Sequence, residues 1–291
     1  MRWRVSHRTV YDYDDDVSDS LGIGFLTPRE LPWQHVIDHE ITIEPKPADL
    51  TSDVDHYGNV VTYFQVTEAH RGLDVLAVGT VDVVDRVYDP EILALPWEQC
   101  RPADRLDAHD AWQAVDFALP SALVAQTEQA RTYAAQSLTP GRAVGEAVTE
   151  LMHRLHADFE YLPGATTITS TIDDVFEHQA GVCQDFAHLL LACLRSHGLG
   201  ARYASGYLAT KPAPGRDRVV GADASHAWGA VWLPDGQWLA VDPTNDGWVS
   251  DRYVVAAFGR DYGDVSPLKG VIFTEAKKST LRVEVDVAPA D

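Results

Sequence analysis

Cysteine is scarce in this chain: three in 291 residues, at Cys100, Cys183 and Cys193. So odd and sparse a set excludes the disulfide framework of a small secreted domain. If Cys183 and Cys193 share one helix, the intervening rise sets them about 15 Å apart, too far for a bridge, and free thiols are expected. Long apolar runs are absent too. None approaches the roughly 18 residues of a membrane span, and the opening MRWRVSHRTVYDYDDD has no apolar signal-peptide core. A cytoplasmic protein with no membrane partner is expected. Positive charge is in short supply, with 23 Lys and Arg against 44 Asp and Glu and a formal charge of −21. Such a surface repels a phosphate backbone, so nucleic acid is not an expected partner. CxxC and HExxH are also missing. His178, Cys183, His188, Cys193 and His197 fall mostly at steps that do not share a helix face, where ligands sit three or four apart, so no metal site is expected.

A hydrophobic content of 45% with eight Trp can fill the core of one large domain or two ordinary ones. The first ninety residues read mostly as strands: Trp3, Val5, Thr9, Tyr11 and Tyr13 alternate with polar positions, and VIDHEITIEP and LDVLAVGTVDVV repeat the habit. Between them DHYGNVVTYFQV places turn chemistry at Tyr57-Gly58-Asn59. Residues 1–90 are thus a β-rich N-terminal domain, and the proline-punctuated stretch 91–120 reads as a linker. Helical patterning follows in a core over 121–265. Ser121 to Ser137 is rich in Ala, Gln and Leu, and Thr139 before Pro140 predicts the cap of a second helix. In it Val144, Val148, Leu151, Met152, Leu155 and Phe159 recur at three- and four-residue steps. A third helix starts near Cys183 and is stopped by Gly198. ARYASGYL, HAWGAVWL and QWLAVD then read as strands, with KPAPGRDRVVGAD a loop and Pro234-Asp235-Gly236 a hairpin turn. Residues 266–291 form a last strand, LRVEVDV, and a tail. The fold class is α+β.

The stretch GVCQDFAHLL puts Cys183 where an apolar helix begins. Most such cysteines are core residues, but a helix N-terminus favours the thiolate and offers unpaired N–H groups to a developing oxyanion. Gly181 allows close approach. A thiol nucleophile needs a base, and the base an orienting partner. His226 opens one strand and Asp242 closes the next, so the hairpin brings both to one open end. A two-residue turn would not pair them directly, which requires a longer loop, a bulge or splayed strands. Asp185 reads as a first-turn dipole partner, His188 as a packed helix histidine, and Trp228, Trp232, Trp238 and Trp248 as core and hairpin packing. Gln179 and Gln184 are candidate side-chain donors to the oxyanion.

GVCQDFAHL, ARYASGYL, ASHAW and VDPTN together resemble the bacterial branch of the transglutaminase-like superfamily of cysteine enzymes. YLPGATT, FGRDYGDVSPLKG and, more faintly, the DHYGN segment extend the resemblance over most of the chain. It implies a β-sandwich-like N-terminal domain and a papain-like core of helices packed on an antiparallel sheet. It also implies Cys183 as nucleophile, His226 as general base and acid, and Asp242 as the group orienting the imidazole. The chemistry so implied is thiol-dependent cleavage of a peptide or protein amide through an acyl-thioester, with no cofactor of any kind. Protein-glutamine acyl transfer by the same triad, and a binding module that keeps the fold without the reaction, are the alternatives.

Overall fold

In the computed structural model, residues 1–210 and 225–290 are described. The loop expected at 211–223 lies outside them. The N-terminal region is five strands, β1 (Arg2–Gly24), β2 (Gln34–Glu44), β3 (Asp49–Val54), β4 (Val60–Val66) and β5 (His70–Val83). Along β5 buried and half-buried residues alternate strictly, as one covered sheet face requires. Next come α1 (Pro90–Leu93), two 3₁₀ turns at Trp97–Cys100 and Pro102–Asp104, α2 (Ala111–Asp116), α3 (Glu128–Ala135) and α4 (Val144–Asp158). The core continues through β6 (Glu160–Tyr161), α5 (Ile172–His178), β7 (Ala180–Gly181) and α6 (Cys183–Arg195). It closes with β8 (Ala201–Leu208), β9 (Ser225–Trp232), β10 (Trp238–Asp242), β11 (Gly247–Trp248) and β12 (Tyr253–Gly259), before β13 (Leu268–Thr274) and β14 (Ser279–Pro289).

The first sheet is organised by β1. Its first half pairs with β5 on one edge and β14 on the other, and its second half with β4 and β13. Two leaves that share one long strand enclose Tyr13, Val17, Ile43, Phe64, Leu73 and Val75, a sandwich-like arrangement. The last two strands therefore complete the N-terminal sheet and are not a separate tail: Trp3 to Tyr13 run antiparallel to Pro289 to Ser279.

The core sheet has the order β11-β10-β9-β8-β12 and is antiparallel throughout. Its Ala201, Tyr203, Ala227, Val231, Leu239 and Val241 pack with Leu190, Leu191 and Leu194 of α6. That helix is apolar nearly all round and is buried from Gln184 to Arg195, so it is the central element rather than a surface one. Gly198, at φ +80°, ends it in the left-handed conformation expected from the sequence. The opposite sheet face carries Trp228, Trp232, Trp238 and Tyr253 in a second core.

The linker expected over 91–120 is instead packed. Trp97 and Cys100 enter the first core, and Ala111, Ala114 and Phe117 the second. Proline punctuation there marks helix starts rather than slack chain. The helix expected from Ser121 is only Glu128–Ala135, where Thr127 caps the N-terminus by accepting from the Ala130 N–H at 3.2 Å. Thr139 caps nothing either. Residues 142–144 pair with 95–97, through Trp97 N–H to Arg142 O and Val144 N–H to Leu95 O, and α4 starts at Val144.

Gly206, opposite His226 on β8, lies where a neighbouring backbone and the Trp228 ring come close. A Cβ there would stand 2.0 Å from the Val254 carbonyl oxygen and 2.9 Å from the Trp228 ring. Gly206→Ala is expected to destabilise the chain by about 2 kcal/mol or more, because a backbone oxygen has to move. A lowered urea midpoint checks this; an unchanged midpoint would show that the strands can separate freely.

Candidate active site

Cys183 is the first residue of α6, delivered there by the short parallel pairing of β7 with β6. The turn before the helix is tied by Asp185, whose Oδ2 accepts from the Val182 N–H at 2.8 Å and from the Thr166 hydroxyl at 2.6 Å. A Cβ on Gly181 would lie 2.7 Å from this carboxylate, so the glycine admits Asp185. Asp185 thus has the structural, first-turn place expected of it. The N–H groups of Cys183 and Gln184 open the helix without an intrahelical acceptor. All three cysteines are free, and Cys183 is the half-buried one while Cys100 and Cys193 are buried. Burial pushes the Cys100 thiol up to about 12 and that of Cys193 up as well.

The register of β9 with β10 explains how His226 meets Asp242. Trp232 pairs with Trp238 across a loop of 233–237, and Val241 pairs with Gly229. Continuing that register, Asp242 faces Trp228, and His226 lies two residues further along β9 on the same sheet face. Such diagonal neighbours are roughly 7–8 Å apart at the backbone, a gap that an imidazole and a carboxylate span. His226 Nε2 lies 2.7 Å from Asp242 Oδ2. The Cys183 side chain lies close enough to this ring to act on its charge state. The three residues selected from the sequence converge.

Asp242 is fully buried, and its acceptor capacity is filled. Oδ2 also accepts from the Tyr253 hydroxyl at 2.8 Å and the Asn245 amide at 2.7 Å, while Oδ1 accepts from the Thr244 N–H at 2.9 Å. Burial acts to raise its pKa, but the hydrogen bond and charge of His226, with those from Asn245 and Tyr253, hold it below the ordinary carboxylate value. For His226 burial acts to lower the pKa, yet the bonds and charges of Asp242 and Cys183 outweigh it and raise it to about 10.

Tyr253 and Asn245 were not singled out in the sequence. Asn245 sits inside VDPTN and signalled only by proximity. Tyr253 opens a strand on the far edge of the sheet, separated by two strands from that of Asp242, yet its hydroxyl reaches Asp242 Oδ2. His226, Trp228 and Tyr253 form a three-ring cluster, with Trp228 stacked on the imidazole at 6.1 Å and edge-on to the tyrosine at 5.3 Å, and the tyrosine 6.1 Å from the imidazole. Trp228, Trp232 and Trp238 are buried packing residues, while Trp248 is partly exposed and donates to Thr149 at 2.9 Å. His188 is buried and accepts from the Tyr262 N–H at 3.1 Å, and burial lowers its pKa to about 4. Gln184 donates to the Ile168 carbonyl and Gln179 forms the left-handed end of α5. The Gln184 amide is thereby engaged with Ile168, while the Cys183 N–H stands free of an intrahelical acceptor at the helix start. Among the described residues no group of three His, Cys, Asp or Glu is arranged to hold a metal, and no helix is long and apolar enough to cross a membrane.

Comparison with known proteins places these features in a common frame. Residues 3–82 match the bacterial transglutaminase-like N-terminal region, and residues 131–243 match the transglutaminase-like superfamily core. Uncharacterised proteins of Mycobacterium tuberculosis and Mycobacterium bovis are each 45% identical over 295 residues, spanning 99% of this chain and 93% of theirs. A protein-glutamine gamma-glutamyltransferase of Pseudomonas aeruginosa is 29% identical over 153 residues, 51% of this chain and 22% of that protein. The solved structure of a candidate cysteine protease from Cytophaga hutchinsonii superimposes with a TM-score of 0.73 at 21% identity, covering 100% of this chain and 92% of that one. That likeness is one of fold.

Proposed function

The chain belongs to the transglutaminase-like superfamily, and from that premise we propose that it is a thiol-dependent amide hydrolase acting on peptide or protein amides. The observation that carries the reading is one imidazole held at 2.7 Å by the buried Asp242, with the Cys183 side chain close enough to act on its charge. In this reading His226 takes the proton from Cys183, and the sulfur attacks the amide carbonyl to form a C–S bond. The oxyanion is received by the Cys183 N–H. The C–N bond then breaks as His226 returns the proton to the departing amine, leaving an acyl-thioester. Water attacks next, His226 accepts its proton, and the acid and the free thiol are released. Asp242 keeps the ring in the tautomer and orientation that each transfer needs. Half-burial of Cys183 leaves the thioester accessible to water, which favours hydrolysis over transfer.

Acyl transfer to an amine is the second reading, and the similarity to the Pseudomonas glutamyltransferase favours it. The experiment is a panel of peptide amides and glutamine peptides, assayed with and without a primary amine, with acid and amide products followed by mass. Hydrolysis predicts that acid remains the main product at millimolar amine. A predominance of amine adduct would replace the hydrolase with a transferase. Lack of any acyl-enzyme on every substrate would remove both.

A further inference from the structure

A second constellation lies on the same sheet face as His226 but at the other end of β8. Arg202 pairs with Ala230, while Gly206 pairs with His226; four residues of strand separate the two levels by about 13 Å. The Arg202 guanidinium packs on two aromatic rings, 3.6 Å from the centre of Phe258 and 4.1 Å from that of Trp238. Its Nε is shut off from solvent and has no hydrogen-bond partner. Among the described residues no carboxylate forms an ion pair with it. Even in a chain with a formal charge of −21, this half-buried cation has no carboxylate of its own among the described residues.

The surrounding charges sharpen the point. Desolvation, with the like charges of Arg29 and Arg86 added to it, holds the Arg202 guanidinium below its ordinary pKa. Arg29 uses Nη1 on the Tyr57 carbonyl at 2.7 Å and the Asn59 side-chain oxygen at 2.6 Å, and its Nε is likewise unpartnered. The acidic groups nearby are committed elsewhere. Asp55 accepts from the Tyr57 and Asn59 N–H groups and the Asn59 amide, and Asp116 accepts from the Tyr57 hydroxyl. Both arginines line a cavity of about 330 Å³, together with His56, Tyr57, Gln113, Trp238 and the hydrogen-bonded Asp55. This is the low end of the small-molecule range. The DHYGN turn, which the proposed amide chemistry leaves without a role, forms one wall.

We propose that this cavity between the Asp55–Asn59 turn and the core sheet binds a small carboxylate or phosphate compound through the Arg202 guanidinium. A planar fork held against rings is pre-organised to meet two oxygens at once, and Arg29 adds to the attraction. Ala204 and Trp228 occupy the level between Arg202 and His226 on this sheet face, so the cavity is a second site and not a pocket for the scissile amide.

Calorimetric titration of the full chain with sodium phosphate, sodium acetate and sodium glutarate at low chloride tests this and separates the two anion classes. One saturable event with a single anion class is expected. Arg202→Lys keeps the charge but loses the fork, and should weaken it at least tenfold. Gln113→Glu places a carboxylate at the mouth from an exposed helix position, and should also weaken it at least tenfold; it carries the test if Arg202→Lys fails to fold. Absence of saturable binding up to about 10 mM of all three anions, or native affinity in both variants, would leave Arg202 a packing piece between two rings and overturn the proposal.

Discussion

With Cys183 replaced by alanine, amide turnover is expected to fall at least about a thousandfold, and the acyl adduct to vanish from the intact-mass spectrum. Triad knockouts in thiol and serine hydrolases cost this much or more, the residue being what binding and the oxyanion donors still contribute. No other thiol can substitute. Cys100 and Cys193 are buried, and burial raises both their pKa values, so neither supplies a thiolate at neutral pH. The variant should stay folded, because Cys183 packs only partly against the core. Native turnover in this variant would remove the sulfur from the mechanism, whatever the geometry around it.

Asp242→Asn is expected to cost about 10³–10⁴ in turnover. Three donors, from His226, Asn245 and Tyr253, converge on Oδ2. An asparagine must present either its oxygen there, without the charge, or its NH₂ against three donors. Either way the ring loses its anchor. The same substitution changes how stability depends on pH. With the pKa of His226 raised to about 10, the stability it contributes is present below its ordinary value of 6.5 and is lost as pH rises through about 10. Asp242 has a lowered pKa, so its contribution is present above 3.8 and is lost as pH falls below that value. The gap in urea midpoint between the native chain and Asp242→Asn should therefore be widest between about pH 4 and 6.5 and close towards pH 10. A gap independent of pH would mean that His226 is neutral in the native fold.

The local parts of this arrangement were legible in the sequence. Cys183 at a helix start, Gly198 as its stop, and the strands that carry His226 and Asp242 all follow from short-range patterning. The diagonal meeting of His226 and Asp242 was not, since it depends on how many residues the 233–237 loop takes up. Tyr253 was invisible for a different reason: its bond to Asp242 joins strands that are not neighbours in the sheet, and the alternation of one strand carries no mark of such a contact. Proline-rich 91–120 misled because prolines that start short helices look like those of open chain until the burial of Trp97 and Phe117 is known. The pairing of β14 with β1 joins residues almost a full chain length apart, beyond any window of periodicity.

That last pairing has a consequence for biosynthesis. The edge of Trp3–Tyr13 that is meant for Ser279–Pro289 has no native neighbour until those residues have been made. At roughly 5–20 residues per second, the ribosome leaves it waiting for tens of seconds while the cysteine-bearing domain is completed in between. An early strand exposed for so long is a template for wrong partners, and chaperone occupancy of the nascent chain should concentrate on that interval.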